Sequence, residues 1–147
     1  MKLNSIPLFL GTEETIMETT KMKPEEIESG LSQFIGTENY YKVGWMFPKM
    51  VFTDGINFLV KQCGAYWLLD AICSHQPKCM KDDMLQCMQF WTLKKEEDDW
   101  VLTCDRDQGD EAFRQVIGYS DFPLESIRIW VAPADEQNCL MYLPSEH

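Results

Sequence analysis

The stretch from Thr53 to Ile72 constrains the fold of this chain more than any other segment, because most of its residues are apolar. Thr53 and Asp54 are residue types that cap the N-termini of helices, and Gly64 interrupts the apolar pattern. The pattern therefore predicts a capped helix before Gly64 and a second helix after it. The second segment is apolar nearly all round apart from Asp70, which is typical of a central buried helix.

The pattern of apolar residues changes along the chain from helical to alternating. Ile27, Leu31 and Phe34 have helical spacing and follow Pro24, a residue that favours the first turn of a helix. Gly36 ends this helix, and residues 37–52 contain Gly44 and Pro48, so we expect a loop with short extended pieces there. Alternation typical of strands is found at residues 87–93, 100–104, 127–131 and 139–143, with a further candidate at 113–119. Helical segments come first along the chain and strands follow. This order predicts an α+β fold, in which N-terminal helices pack on one face of a four- to five-stranded antiparallel sheet formed by the C-terminal half.

The length of 147 residues is typical of one domain that buries its own core. We expect residues 24–147 to form that domain and residues 1–23 to be an arm that docks through Ile6, Leu8 and Phe9 or frays. The apolar run near the start is too short for a secretory signal, and no segment reaches the ~18 apolar residues of a membrane span. The chain is therefore expected to be cytoplasmic.

The charge of the chain is strongly negative and unevenly distributed. There are 24 acidic residues against 13 basic ones, a formal net charge of −11, which disfavours binding to nucleic acid or to an anionic membrane. The window from Glu96 to Glu111 alone contains eight acidic residues and one basic residue. Its run Glu96, Glu97, Asp98 and Asp99 is either a solvated hairpin tip or an acidic interaction surface for a partner protein with a basic surface.

The six cysteines lie among core-like residues, which favours reduced, buried thiols over disulfides. Cys73, His75, Cys79 and Cys87 are the nearest approach to a zinc site, but their spacing is not one of the usual zinc-binding patterns. Packing of Cys73 at a helix end is the favoured interpretation, and no metal or other cofactor is predicted. A nucleophilic cysteine needs a histidine base nearby, and nothing around these cysteines resembles such a site.

Asp70 raises a question about function, because an unpaired carboxylate on a buried helix is costly. In a structural interpretation it accepts hydrogen bonds that tie the GTENYY loop, Gly36 to Tyr41, to the helix. In a functional interpretation it belongs to a binding or acid–base pocket of carboxylates and aromatics. The candidate pocket residues are Glu38, Asn39, Tyr40, Tyr41, Trp45, Asp54, Trp67 and Asp70.

Three blocks carry a resemblance to a known family: GTENYY (Gly36 to Tyr41), TDG (Thr53 to Gly55) and AYWLLDAI (Ala65 to Ile72). Together they resemble a family of small uncharacterised bacterial and phage proteins, a domain of unknown function. The resemblance extends from about Leu31 to Leu143. It implies a single compact domain often found in genomes rich in mobile elements, and it brings no assigned activity or catalytic residue.

Two kinds of function are therefore compatible with the sequence. The favoured one is a non-enzymatic protein-interaction module, with a phage or mobile-element accessory role as the setting that the resemblance implies. The alternative is a small enzyme or ligand-binding domain with a carboxylate and aromatic pocket around Asp70 and Glu38. Both a monomer and a homodimer are compatible with the residues.

Overall fold

The computed structural model describes residues 22–147. The N-terminal arm, with the docking contacts predicted for Ile6, Leu8 and Phe9, lies outside the described residues except for its last two. Of these, Met22 is half-buried against the core, and Lys23 is the cap residue before the first helix. No helix between residues 22 and 147 has the length and apolar character needed to cross a membrane.

The described part of the chain contains five α-helices and seven strands. The helices are α1 (Pro24–Leu31), α2 (Asp54–Cys63), α3 (Tyr66–Ser74), α4 (Gln76–Cys79) and α5 (Asp83–Cys87), and a 3₁₀ turn spans Pro144–Glu146. The strands are β1 (Tyr40–Gly44), β2 (Phe47–Thr53), β3 (Gln89–Glu96), β4 (Asp99–Asp107), β5 (Asp110–Gly118), β6 (Ser126–Pro133) and β7 (Cys139–Tyr142). The predicted α+β class is confirmed.

All seven strands form one mixed sheet in the order β1-β2-β7-β6-β3-β4-β5. The pair β2–β7 is parallel, and every other neighbouring pair is antiparallel. The prediction of a four- to five-stranded antiparallel sheet drawn from the C-terminal half is therefore wrong. The additional strands β1 and β2 come from the N-terminal half and form a hairpin.

Residues 40–53 were expected to be largely loop because of Gly44 and Pro48, yet they form this hairpin. Pro48 is tolerated because it lies where the β1–β2 register is irregular and before Met50, the first β2 residue that pairs with β7. The missing N–H of the proline therefore removes no regular ladder hydrogen bond.

Helices α2 and α3 begin and end close to where their capping residues predict. The Thr53 hydroxyl accepts a hydrogen bond from the Ile56 N–H at 3.3 Å, and Gly64 ends α2 in the left-handed conformation with φ 61°. The expectation that α3 is apolar all round is corrected by its burial pattern. Leu68, Leu69, Ile72 and Cys73 are buried, whereas Tyr66, Asp70 and Ser74 lie at intervals of four residues on an exposed stripe.

The central strands alternate between a buried side and a more exposed side. On the buried side, Trp91, Leu93, Ile129 and Val131 join residues of α2 and α3 in one hydrophobic core. On the opposite side lie half-buried or exposed residues, which we call the outer face: Phe90, Thr92, Asp105, Arg128 and Trp130. This outer face carries one of the candidate sites described below.

Candidate functional site

The carboxylate of Asp54, at the first position of α2, is the centre of the best-connected polar group among the predicted site residues. Its Oδ2 accepts hydrogen bonds from the backbone N–H groups of Glu38 at 2.9 Å and Asn39 at 3.2 Å. Its Oδ1 accepts from the Tyr41 hydroxyl at 2.9 Å and from Asn39 Nδ2 at 3.3 Å. The backbone N–H of Asp54 donates to Thr37 Oγ1 at 2.9 Å. We call these five residues the Asp54 cluster, and it fastens the GTENYY loop to α2.

The hydrogen bonds of this cluster determine its protonation. The N–H of Glu38 makes the largest contribution, and Tyr41, Asn39 and Thr37 add to it, so that the pKa of Asp54 is lowered to about 2 although partial burial opposes the shift. The hydrogen bond that the Tyr41 hydroxyl donates to Asp54 raises the pKa of Tyr41, because the carboxylate stabilises the protonated phenol. Asp54 is therefore ionised at neutral pH with its acceptor positions occupied, which suits an anchor and not a general acid.

The other two residues of the TDG block are fixed by Glu146 from the C-terminal 3₁₀ turn. Glu146 Oε1 accepts from the Thr53 hydroxyl at 2.7 Å, and Oε2 accepts from the Gly55 N–H at 3.2 Å. A Cβ atom at position 55 would lie 2.6 Å from Glu146 Oε1 and 2.7 Å from Leu143 Cδ1. A larger residue at position 55 would therefore displace the side chains of the C-terminal turn, which favours glycine there.

The remaining candidates for a carboxylate and aromatic pocket do not join this cluster. Tyr40 and Tyr41 alternate along β1, so Tyr41 stacks on Phe52 while Tyr40 is 62% exposed on the other side. Trp45 lies in the β1–β2 turn and is 88% exposed, and Trp67 packs half-buried against the core. Asp70 is exposed, and its side chain makes no hydrogen bond to another residue between 22 and 147. The loop-to-helix tie suggested for Asp70 is made by Asp54.

The residues considered for zinc have other contacts. The Nε2 of His75 lies 2.8 Å from Gln115 Oε1, and its ring packs against Trp91 and Phe113. Cys87 is exposed, whereas Cys73 and Cys79 are buried. Within the described residues, no group of three or more His, Cys, Asp or Glu side chains is placed to hold a metal ion.

The buried thiols are poor nucleophiles. Burial raises the pKa of Cys63 to about 11 and that of Cys73 to about 12, with Asp70 and Cys139 adding to the effect at Cys73. A hydrogen bond between the thiols of Cys79 and Cys104 lowers the pKa of the first and raises that of the second. Because the thiolate is the reactive form, the raised pKa values of Cys63, Cys73 and Cys104 make these three thiols weak nucleophiles.

The acidic window from Glu96 to Glu111 is divided between the two ends of β4. Glu97 and Asp98 form the tight turn between β3 and β4, where Glu97 has φ 57°, and Glu96 is paired with Arg114 at 2.9 Å. Asp99 begins β4 beside that turn, opposite Glu96, and the other acidic residues of the window surround the β4–β5 turn. The two ends of β4 are separated by roughly 26 Å along the strand.

The second group adjoins a cavity of about 380 Å³ on the outer face, which we call the acidic–aromatic pocket. It is lined by Phe90, Thr92, Asp105, Asp107, Gln108, Gly109, Arg128 and Trp130. Phe90 and Trp130 lie opposite each other in the β3–β6 register and meet edge to face, with centroids 5.2 Å apart. Phe90 also lies opposite Asp105 in the β3–β4 register. From the sequence, each of these residues can be assigned to a strand or to the acidic run. The strand register that brings them together cannot be predicted from it.

Charge in this pocket is incompletely compensated. Asp105 has no salt bridge and no side-chain hydrogen bond among residues 22–147, and Arg128 in the same pocket has no salt bridge either. The pKa of Asp105 is raised by partial burial and by the neighbouring carboxylates of Glu111 and Asp110. A positively charged group placed beside Asp105 would offset both effects.

Comparison with known proteins identifies a family but no characterised relative. Curated proteins and solved structures gave no match. A family model, described as a family of unknown function, matches residues 25–147, which agrees with the resemblance to a domain of unknown function. Because the match extends over well above half of the chain, this protein belongs to the family DUF6876.

Proposed function

We propose that this protein is a non-enzymatic interaction domain that binds a partner protein with a basic surface. The observation that carries the proposal is the acidic–aromatic pocket, where Asp105 forms no salt bridge within residues 22–147 and lies beside the Phe90–Trp130 pair. A lysine side chain from a partner has the charge, the length and the apolar stem that such a pocket accommodates.

The electrostatics of Asp105 support a cationic ligand. Partial burial and the nearby carboxylates of Glu111 and Asp110 disfavour the ionised form of Asp105, which is why its pKa is raised. A bound ammonium group provides the opposite charge and lowers this penalty. Binding of a cation and ionisation of Asp105 therefore favour each other.

The aromatic side chains support the same ligand class. Trp130 is half-buried and presents part of its ring to the pocket, and Phe90 is likewise half-buried. A cation over an aromatic face gains roughly 0.5–1 kcal/mol at an exposed site. The pocket therefore offers a cation both a carboxylate and an aromatic surface.

The acidic run Glu96 to Asp99 has a different part in this proposal. Glu97 and Asp98 are exposed in the β3–β4 turn, and Asp98 lies roughly 23 Å along the strand from Asp105, so they attract a basic partner at long range without contacting the anchoring side chain. Neutralising them is expected to slow association, whereas neutralising the pocket is expected to weaken the complex.

The enzymatic alternative has less support from the geometry. Its carboxylates are separated: Asp54 is occupied by the GTENYY loop, and Asp70 is exposed on α3 without a polar partner in the described part of the chain. The phage or mobile-element setting, the cytoplasmic location and the lack of nucleic-acid binding stay predictions that accompany the proposal.

A peptide-binding experiment tests the proposal. The probe is a terminally blocked hexapeptide of alternating lysine and glycine, titrated into the full chain by calorimetry at several salt concentrations. The variant Asp105→Asn is expected to weaken binding about fivefold, or roughly 1 kcal/mol, because one cation–carboxylate interaction at a partly exposed site is lost. The variant Arg128→Gln is expected to strengthen binding, since it removes the only cation lining the pocket in the described residues.

Two controls define the result. Replacing the lysines of the peptide with glutamine is expected to abolish binding. The double variant Glu97→Gln and Asp98→Asn removes two charges at the β3–β4 turn and is expected to weaken the affinity less than Asp105→Asn. The proposal fails if Asp105→Asn binds the lysine peptide as tightly as the unaltered protein, or if Arg128→Gln weakens binding.

A further inference from the structure

The largest apolar cavity among those described lies away from both the Asp54 cluster and the acidic–aromatic pocket. Its volume is about 640 Å³, and its walls come from the β1–β2 turn, the ends of α3 and α4, and the β6–β7 turn. Its apolar side chains include Met46, Met50, Pro77, Met80 and Cys139, so we call it the methionine groove.

The rim of the methionine groove carries exposed apolar side chains. Met46 is 65% exposed and Met80 is 40% exposed, while Met50 is buried at the base. Thioether side chains are flexible and adapt to apolar ligands of irregular shape. Because large apolar patches on protein surfaces mark interaction sites, this groove fits an apolar segment of polypeptide.

The chain itself contains a suitable segment outside the described residues. Ile6, Pro7, Leu8, Phe9 and Leu10 form an uninterrupted apolar run, and the first ten residues contain Lys2 but no acidic residue. In the described part of the chain, the groove is lined by the carboxylates of Asp135 and Glu136 and by one cation, Lys49, so its net charge is negative and is complementary to the charge of Lys2. The segment therefore matches the groove in both apolar character and charge.

The connecting chain is long enough for this segment to reach the groove. The described structure begins at Met22, which packs against the core, and eleven residues lie between it and Leu10. The twelve Cα–Cα steps from Leu10 to Met22 span about 40 Å when extended, whereas a domain of the size of residues 22–147 has a radius of gyration of about 14 Å. Every side of the domain is therefore within reach.

We propose that residues Ile6–Leu10 bind in the methionine groove of the same chain. The segment covers Met46 and Met80 and leaves the acidic–aromatic pocket free, so this inference is independent of the proposed partner binding. A partner that binds the groove must first displace the segment.

The test uses the full chain with ¹³C-labelled methionine methyl groups and the variant Phe9→Glu. Placing a charge in the apolar run is expected to shift the methyl resonances of Met46 and Met80, with Met141 in the core unchanged as an internal reference. The amide groups of Leu8, Phe9 and Leu10 are expected to exchange with solvent at least tenfold faster than in the unaltered protein. The matched control is Ile16→Glu, which introduces the same charge outside the apolar run and is expected to leave these signals in place.

A reciprocal variant on the groove keeps the proposal testable if Phe9→Glu disturbs folding. Met80→Glu alters an exposed rim residue and is expected to accelerate exchange at Leu8, Phe9 and Leu10 as well. Unchanged exchange of these amides in Met80→Glu would overturn the proposal. Methyl shifts that depend on protein concentration, together with a dimer in sedimentation, would also overturn it, because they assign the groove to a second copy of the chain.

Discussion

Replacing Gly55 with alanine is the sharpest test of how the TDG block holds the fold together. The new Cβ would lie 2.6 Å from Glu146 Oε1, 2.8 Å from Glu146 Cδ and 2.7 Å from Leu143 Cδ1, and contacts this short force a displacement. Leu143 is buried, and Glu146 cannot retreat without weakening its hydrogen bonds with the Thr53 hydroxyl and the Gly55 N–H. Gly55→Ala is therefore expected to destabilise the protein although alanine is the better helix former.

The size of the effect follows from three contributions. Overpacking against Leu143 costs roughly 1–3 kcal/mol, and weakening a hydrogen bond to a carboxylate costs roughly 1.5–3 kcal/mol. The higher helix propensity of alanine returns about 1 kcal/mol, so the net loss is about 1.5–5 kcal/mol. For a chain of this length we expect the melting temperature to fall by about 5–15 °C.

Urea unfolding followed by circular dichroism measures the change in unfolding free energy. The matched control is Gly36→Ala, because a Cβ at position 36 has no heavy atom within 4 Å. We expect Gly36→Ala to leave stability unchanged or to raise it slightly. In a Glu146→Ala background the cost of Gly55→Ala should shrink, since one of the two colliding side chains is removed. The reasoning is refuted if Gly55→Ala is as stable as the unaltered protein.

Three further measurements probe other parts of the molecule. The lowered pKa of Asp54, about 2 in the folded protein against ~3.9 in an unfolded chain, means that its stabilising effect is complete above about pH 4 and is lost as the pH falls toward 2. Asp54→Asn should therefore reduce the loss of stability over that pH range, as measured by urea midpoints at successive pH values. Gln89→Leu should cost about 2–3 kcal/mol in unfolding free energy, because it leaves the buried indole N–H of Trp91, 2.8 Å from Gln89 Oε1, without its acceptor; an unchanged urea midpoint would contradict this. Iodoacetamide under native conditions should modify exposed Cys87 before buried Cys73, as read by peptide mass spectrometry, and the preference should disappear in urea.

The sequence predicted those helices and strands whose positions depend on interactions between residues close together in the chain. Thr53 and Gly64 mark the ends of α2 because capping needs only a side-chain acceptor at one end and a left-handed residue at the other. Alternation likewise located the strands of the C-terminal half, because one side of each strand enters the core. The helix α5 was missed, since its five residues are too few for a periodic pattern to emerge.

The features that could not be predicted from the sequence depend on pairing between residues far apart in the chain. The parallel pairing of Met50–Phe52 with β7 joins segments nearly 90 residues apart, and no local pattern specifies it. The partners of Asp54 are 13 to 17 residues away, on a loop whose path is set by the hairpin that was not predicted. The exposure of Asp70 could have been predicted from the sequence. Tyr66, Asp70 and Ser74 are spaced four residues apart and share one side of α3, whereas Leu69 and Ile72 lie on its buried side.

The carboxylates differ in how many hydrogen bonds they already accept, and this difference indicates which of them is available to bind a partner. Asp54 already accepts four hydrogen bonds from the GTENYY loop, so a ligand could bind it only by replacing partners that hold the fold. Glu146 is similarly committed to the TDG block. Asp105 is different, because it is partly desolvated and crowded by like charges, and it has no hydrogen-bond partner for its side chain in the described part of the chain. Binding of an external cation stabilises the ionised form of such a carboxylate. A carboxylate whose acceptor positions are occupied must first give up hydrogen bonds, so the same binding is less favourable there. The resembling blocks around Asp54 are therefore explained by folding, and the pocket beside Trp130 is where a partner can add interactions that the chain does not already make.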